Sequence, residues 1–158
     1  MDSGGQDIRD IVPGLANAAC PMPEVVTGGQ PTEEHLRTFL DHGYKTILDL
    51  RAPDEPRPFD EPEAARRIGL EYVSLPVTPE TLTDEIFDTF RDLMRDESKR
   101  PVVIHCASGN RVGAVLIPYL VLDEGRTRQE ALEAAVEVGL RSQDLAGRAM
   151  DYVERHQE

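Results

Sequence analysis

The segment 101–122 constrains the fold of this chain more than any other part of its sequence. It opens with the apolar run 101–104, whose composition predicts a buried strand. A short, glycine-bearing loop follows at 105–111, and the apolar stretch 112–122 then predicts a helix. A buried strand that passes through a short loop directly into an apolar helix is the unit from which helix-covered sheets are built.

This loop places a cysteine, Cys106, at the end of the strand and an arginine, Arg111, at the start of the helix. Amide groups of the loop and of the helix N-terminus converge there and favour negative charge, which suits a reactive thiolate. The planar guanidinium of Arg111 can bind two oxygens of a tetrahedral anion at once. A free cysteine is more often a small buried hydrophobe, but this order of elements favours a nucleophile, with His105 beside it as a supporting residue. We therefore predict Cys106 and Arg111 as catalytic residues. The predicted substrate-binding residues are Ala107, Ser108, Gly109, Asn110 and Arg111.

The chain has 158 residues, a length that suits one domain with its own hydrophobic core. We predict a loosely ordered lead-in over residues 1–22 and a single domain over residues 23–158. No stretch approaches the roughly 20 apolar residues of a membrane span, and residues 1–10 lack the apolar core of a secretory signal. Two cysteines, Cys20 and Cys106, are too few for a disulfide framework. These features predict a soluble protein of the reducing cytoplasm, and a redox pair between the two cysteines stays open.

The formal net charge of the chain is −13, from 30 acidic and 17 basic residues. Such a surface repels nucleic acids and anionic membranes, so neither is expected as a partner. An anionic substrate then has to be bound by the loop amides and Arg111 at short range. His35, His42 and His156 show no metal-ligand spacing and are expected at the surface. The sequence implies neither a metal nor an organic cofactor, and it leaves the oligomeric state open.

Strand and helix patterns alternate along the rest of the chain. Apolar runs predict strands at 25–27, 46–50, 72–75 and 101–105. Capping residues or helical apolar spacing predict helices that begin near Thr32, Asp60, Asp84, Val112, Thr127 and Ser142. Pro118 is expected to kink its helix or to remove one hydrogen bond. This order predicts an α/β layered domain with a mostly parallel central sheet and a helical C-terminal third. Ligands bind at the carboxyl ends of such strands, which is where Cys106 falls.

Four segments of the sequence carry a family resemblance: 27–32, 43–51, 74–76 and, most specifically, 105–114. Through them the chain resembles the cysteine-dependent phosphatases of the tyrosine and dual-specificity type. More narrowly, it is similar to the bacterial phosphatase-like domain that also occurs in beta-lactamase-hydrolase-like proteins. The resemblance implies a three-layer cysteine-phosphatase fold and a Cys106 nucleophile that forms a phosphocysteine. It also implies that Arg111 is the anion clamp and that the loop amides form the phosphate cradle.

Three features depart from the pattern of these phosphatases. Four residues separate the nucleophile from the clamp, where the family has five. Val112 stands where the family commonly has a serine or threonine that stabilises the departing thiolate. The segment 77–80 lacks the aspartate that serves as general acid in dual-specificity enzymes, which leaves Glu80 and Asp84 as candidates.

A four-residue spacer is also the spacer of rhodanese-type sulfurtransferases, whose cysteine holds sulfur as a persulfide. That chemistry needs a thiolate and cationic or N–H donors, but no acid to protonate an alkoxide. The sequence therefore predicts phosphomonoester hydrolysis through Cys106, with a sulfurtransferase or persulfide carrier that uses the same cysteine as the alternative. A phosphate-binding module without turnover is the third hypothesis.

Overall fold

A computed structural model of the chain describes residues 8–78 and 80–157. The strands of these residues form one sheet in the order β1-β2-β5-β3-β4. Their bounds are Ala19–Met22 for β1, Val25–Gly28 for β2, Thr46–Asp49 for β3, Glu71–Ser74 for β4 and Val102–His105 for β5. Strand β5 is central and parallel to both β2 and β3, β3 is parallel to β4, and β1 pairs with β2 in the antiparallel sense. The mostly parallel central sheet predicted from the sequence is therefore confirmed.

Helices cover both faces of this sheet. They are α1 (Ile8–Ile11), α2 (Glu33–Asp41), α3 (Glu61–Ile68), α4 (Asp84–Arg95), α5 (Asn110–Pro118), α6 (Arg128–Val138) and α7 (Gln143–His156). Helices α1 to α3 contribute to the hydrophobic cluster on one face, and α4 to α7 contribute to a larger cluster on the other. The elements that follow β5 are all helical, so the three-layer arrangement and the helical C-terminal third are confirmed. Within the described ranges, no helix combines the length and the apolar composition that crossing a bilayer requires.

The central strand β5 is buried on both faces. Relative exposure is 5% for Val102 and zero for Val103, Ile104 and His105. Val103 belongs to the cluster with α2 and α3, whereas Ile104 belongs to the cluster with α4 to α7. Because both faces need apolar side chains, the strand appears in the sequence as a continuous apolar run. It delivers the chain to the cysteine loop at a point between the two helical layers.

The sequence signals for helix starts correspond to hydrogen bonds in the structure. The side-chain oxygens of Thr32, Asp60, Thr127 and Ser142 each accept a bond from the backbone N–H three residues further on. Each bond satisfies a donor that has no partner within its helix, and such a cap typically contributes about 1 kcal/mol. At Thr127 the Glu130 carboxylate also accepts from the backbone N–H of the cap, at 3.0 Å. These local signals explain why the predicted helix starts are confirmed.

His35 corrects one expectation from the sequence, which placed it at the surface. Its relative exposure is 8%. Its Nδ1 accepts from the Thr32 N–H at 3.1 Å, so Nε2 carries the proton and donates to the Pro13 carbonyl at 2.8 Å. The first turn of α2 thus uses the imidazole as an acceptor for its own cap. His42 and His156 are exposed, as expected.

Pro118 ends α5, in agreement with the disturbance that the sequence predicts. Proline has no N–H to donate, so the α-helical pattern cannot continue through it unchanged. The chain goes on as a π-helical turn, Tyr119–Asp123, in which the Glu124 N–H reaches the Tyr119 carbonyl at 3.1 Å. The wider turn gives backbone groups near the proline new partners.

Residues 8–22 differ from the loosely ordered lead-in that was predicted for residues 1–22. They contain α1 and the edge strand β1, and between these Val12 and Leu15 are buried, at 1% and 6% exposure. Apolar side chains spread over such short elements, among glycine and proline, leave no readable period in the sequence. Residues 1–7 lie outside the described residues.

The close packing of α5 against α6 depends on Gly113, where an added Cβ would lie 2.8 Å from the Ala135 carbonyl oxygen. We predict that Gly113→Ala lowers the free energy of unfolding by about 1–3 kcal/mol, because the two backbones must move apart. Gly147→Ala in α7 is the matched control, since a Cβ there meets nothing within 4 Å. It should raise the free energy of unfolding by up to about 1 kcal/mol through helix propensity. Urea unfolding of both variants provides the measurement, and equal effects would contradict the packing argument.

Candidate active site

The loop after β5 lies at the carboxyl edge of the sheet, between the ends of the two neighbouring strands. The Cys106 N–H donates to the carbonyl of Gly28, the last residue of β2, at 3.3 Å. On the other side the Leu50 N–H, just past β3, donates to the His105 carbonyl at 2.9 Å. Cys106 itself is fully buried. The cysteine that the sequence singles out therefore lies at the edge where parallel sheets bind their ligands.

The sulfur of Cys106 lies against the start of α5. The Gly109 N–H donates to Cys106 Sγ at 3.0 Å, and the helix begins at the next residue. Gly109 has a φ of +99°, and a Cβ there would lie 2.5 Å from the Val138 carbonyl oxygen. Both the backbone conformation and the close contact require glycine. This N–H and the positive end of the helix favour negative charge at the same point.

Two carbonyls of the loop are held away from the sulfur by neighbouring groups. The Ala107 carbonyl accepts from the Gln30 N–H at 3.3 Å, and the Ser108 carbonyl accepts from the side-chain amide of Asn17. In a trans peptide the N–H points opposite to the carbonyl, so these bonds also orient the N–H groups that follow. The predicted cradle of loop amides is thus held in place by residues from two other segments.

Asn110 connects the start of α5 to the linker between α6 and α7. Its Oδ1 accepts from the Arg141 N–H at 2.8 Å and from the Ser142 N–H at 3.3 Å. The side chain of Asn110 is therefore engaged in holding the loop.

Arg111 forms a bidentate ion pair with Glu55. Nη1 donates to Oε2 at 2.6 Å and Nη2 donates to Oε1 at 3.1 Å, while Nη1 also donates to the Val77 carbonyl at 3.2 Å. The hydrogen bonds from Arg111 lower the pKa of Glu55 to about 2. The same bonds raise the pKa of Arg111, with a further contribution from attraction to the Cys106 sulfur. Both partners are therefore charged at neutral pH.

The side chain of His105 is buried and turned toward α3. Its Nε2 donates to Glu61 Oε2 at 2.6 Å, and Gln30 donates from Nε2 to Glu61 Oε1 at 2.9 Å. Its Nδ1 lies 3.4 Å from the Cys106 carbonyl oxygen. Glu61 has no exposed surface. The predicted supporting residue thus connects the cysteine backbone to a buried carboxylate.

A second buried carboxylate, Asp49, lies beside this pair. Its Oδ2 accepts from Arg57 Nη2 at 2.6 Å and from the Tyr72 hydroxyl, and its Oδ1 accepts from the Arg51 N–H at 2.9 Å. Burial, together with the bond to Asp49, raises the pKa of Tyr72. The ligand atoms of Asp49, Glu61 and His105 lie within 4.8 Å of one another, which is close enough to hold a metal ion. Their oxygens already have donors, and the Arg57 guanidinium supplies positive charge, so we assign the cluster as a buried ion-pair network.

Neither candidate general acid is hydrogen-bonded to the cysteine loop in the described residues. Asp84 forms two hydrogen bonds to Arg155, and these bonds lower the pKa of Asp84. Glu80 is exposed, in the turn before α4. Among the described residues, no hydrogen bond connects either carboxylate to the loop 105–111. Neither side chain is held in a position to donate a proton at Cys106.

Cys20 does not pair with Cys106. Both cysteines are free, and Cys20 lies exposed on the edge strand β1. Strand β2 stands between β1 and β5. Two strand spacings amount to about 9–10 Å, which exceeds the Cα separation that a disulfide spans. The redox pair left open by the sequence is therefore not formed in this fold.

Sequence reasoning found Cys106, Arg111 and His105 but missed their acidic partners, Glu55 and Glu61. Both lie in or next to the proline- and acid-rich loop 51–62, where several carboxylates alternate with no period. Glu61 is the first residue of α3 and had no signal beyond its place in a helix start. The available signal for Glu55 was Arg51, the residue directly after the strand segment 46–50, which donates from Nε to Glu55 at 3.0 Å.

Comparison with known families and proteins supports the same class of domain. Residues 20–151 match a family model described as a DSP-PTPase phosphatase fused to NAD+ kinase. A beta-lactamase hydrolase-like protein of Xylella fastidiosa is 32% identical over 131 residues. That match covers 80% of this chain but only 29% of the relative, so the chain spans a minor part of that protein.

Solved structures share the fold. A DUF442 protein of Shewanella putrefaciens superposes with a TM-score of 0.76 at 16% identity, covering 95% of this chain and 99% of that one. P. aeruginosa TpbA in complex with phosphotyrosine superposes with a TM-score of 0.65 at 22% identity and 89% coverage of each chain. The resemblance carried by the segment 105–114 is confirmed, and the chain belongs to the family described as the DSP-PTPase phosphatase fused to NAD+ kinase.

Proposed function

We propose that this domain hydrolyses phosphomonoesters of the tyrosine or dual-specificity type through a Cys106 thiolate. The observation that carries the proposal is the position of Cys106 Sγ, which accepts the Gly109 N–H at the start of α5. A relative of the same fold binds phosphotyrosine, which supports a phosphate ester as the anionic substrate. The proposal includes a reducing compartment such as the cytoplasm, because both cysteines are free and a thiolate nucleophile is lost on oxidation.

The reaction has two steps. The Cys106 sulfur attacks phosphorus, a P–S bond forms, and the P–O bond to the leaving alcohol breaks. Water then attacks the phosphocysteine, which releases inorganic phosphate and restores the thiolate. In both steps negative charge on the phosphoryl oxygens is stabilised by the loop amides and by Arg111.

The weak point of this chemistry is protonation of the leaving oxygen. A positioned general acid typically contributes about 10²–10⁴-fold to such a step. Asp84 is bound to Arg155, and Glu80 is exposed in a turn. The domain should therefore favour esters whose alcohol leaves without a proton.

Sulfur transfer is the second candidate function, and it is favoured because neither Glu80 nor Asp84 is hydrogen-bonded to the loop among the described residues. In this reaction the Cys106 thiolate attacks the outer sulfur of thiosulfate, an S–S bond forms on the enzyme, and sulfite leaves. Cyanide then takes the outer sulfur as thiocyanate and returns the thiolate. No step requires protonation of an alkoxide, and the four-residue spacer between Cys106 and Arg111 is that of sulfurtransferases.

We predict that aryl phosphates are hydrolysed at least about 10²-fold faster than alkyl phosphates, in line with the missing acid contribution. Phosphate release from paired aryl and alkyl substrates measures this ratio. Thiosulfate with cyanide is assayed in parallel, and Cys106→Ser should abolish whichever activity is present. Thiocyanate formation without phosphate release would replace the first proposal with the second. The absence of both activities, with retained binding of inorganic phosphate, would identify a binding module.

We predict that Arg111→Lys reduces kcat/KM for an aryl phosphate at least tenfold, about 1.4 kcal/mol, because an ammonium cannot bind two oxygens in parallel. Arg66→Lys is the matched control, since Arg66 is exposed in α3 and pairs only with Glu63 among the described residues. That control should remain within about twofold of wild type, because exposed ion pairs contribute little. If Arg111→Lys behaves like the control, the arginine does not contact the reacting anion.

A further inference from the structure

The hydrogen bonds of Arg111 leave one edge of its guanidinium open. Both protons of Nη1 are donated, to Glu55 Oε2 and to the Val77 carbonyl, and one proton of Nη2 is donated to Glu55 Oε1. The remaining N–H groups, on Nε and Nη2, form the side-on edge. Within residues 8–78 and 80–157, no further oxygen accepts a hydrogen bond from Arg111, and the Cys106 sulfur also interacts with the guanidinium. Two parallel N–H groups on one edge match two oxygens of a tetrahedral anion.

The position of Glu55 is fixed by further hydrogen bonds in addition to those from Arg111. Its Oε2 also accepts from the Ala52 N–H at 2.7 Å, and its Oε1 accepts from Arg51 Nε at 3.0 Å. Arg51 in turn donates from Nη1 to Gln30 Oε1 at 2.8 Å, and Gln30 donates from Nε2 to Glu61 at 2.9 Å. A continuous path of hydrogen bonds thus runs from Glu55 to a fully buried carboxylate.

We propose that Glu55 is a positioning residue for the anion clamp, and that Arg51 and Gln30 brace it. Glu55 occupies the end-on edge of the Arg111 guanidinium, which is formed by Nη1 and Nη2. It thereby turns the side-on edge toward the Cys106 sulfur. The inference rests on the proposed function in one respect, namely that Arg111 binds the oxygens of the substrate. It assigns a role to a residue that touches neither the substrate nor the sulfur.

The opposite role, in which Glu55 competes with the anion for Arg111, makes the opposite prediction. A competing carboxylate would occupy the edge that faces the sulfur and would depend on Arg111 for its position. Glu55 instead accepts from Nη1 and Nη2 and is also held by its own loop. Removing a competitor, or merely removing a negative charge, would strengthen the binding of a dianion. Removing a positioning residue weakens it.

The test is tungstate binding by calorimetry to wild type, Glu55→Gln and Glu63→Gln. Glutamine presents an N–H to the guanidinium and cannot accept both of its bonds, so Glu55→Gln should weaken tungstate binding at least tenfold. Glu63→Gln removes one negative charge from an exposed side chain of α3 and should leave binding unchanged. Equal or tighter binding by Glu55→Gln would overturn the proposal. If that variant does not fold, Arg51→Lys, which cannot bridge Glu55 and Gln30, should weaken binding in the same direction, and unchanged binding would overturn it.

Two further measurements separate a positioning role from a general structural one. In an Arg111→Ala background, Glu55→Gln should cause no further weakening, because its effect passes through the guanidinium. Additional weakening there would contradict the proposal. With an active enzyme, Glu55→Gln should lower kcat/KM at least tenfold. If wild type binds tungstate but does not hydrolyse esters, the binding series still decides the role of Glu55, and only the proposed function fails.

Discussion

Two fully buried carboxylates, Asp49 and Glu61, lie beside the central strand, and ionised groups in such a place must be paired or hydrogen-bonded. The segment between β3 and α3 supplies partners for Asp49, because Arg57 donates to its Oδ2 and the Arg51 N–H donates to its Oδ1. Glu61 follows this segment as the first residue of α3. This pairing draws the loop across the carboxyl edge of the sheet. The same loop carries Glu55 to Arg111. The position of Arg111, the proposed anion clamp, therefore depends on charges buried behind it.

The cysteine loop depends on the other helical layer in a comparable way. Gly109 lies against the Val138 carbonyl, where any side chain would collide, and Asn110 accepts two backbone bonds from the linker that follows α6. A loop of four residues between Cys106 and Arg111 has few torsions of its own, so contacts on both sides can fix the direction of its N–H groups. The helical C-terminal third thus supports the cysteine loop in addition to covering the sheet.

Local signals made much of this fold predictable from sequence. Apolar runs marked the strands, side-chain caps such as Thr127 marked helix starts, and the order of strand, Cys106, glycine, Arg111 and helix marked the candidate site. The acidic partners were beyond such reasoning, because Glu55 lies 56 residues before Arg111 and Glu61 lies 44 residues before His105. Their pairing is a result of tertiary folding, and neither helical nor strand periodicity encodes it. The strand at 19–22 was missed for a related reason, since its place is set by pairing with β2 rather than by its own composition.

The net charge of the chain is −13, so the proposed binding of an anionic substrate requires a short-range explanation. At physiological ionic strength, surface charges are screened over about 8 Å, so distant carboxylates have limited influence on a buried site. Arg111 and Glu55 together are neutral, which makes the clamp an oriented dipole rather than a free cation. The start of α5 and the Gly109 N–H are also oriented dipoles. Because dipolar fields decay faster with distance than those of net charges, the site should attract anions only at contact. The affinity for an anion then depends on how well it fits the loop, and anions at longer range are attracted only weakly.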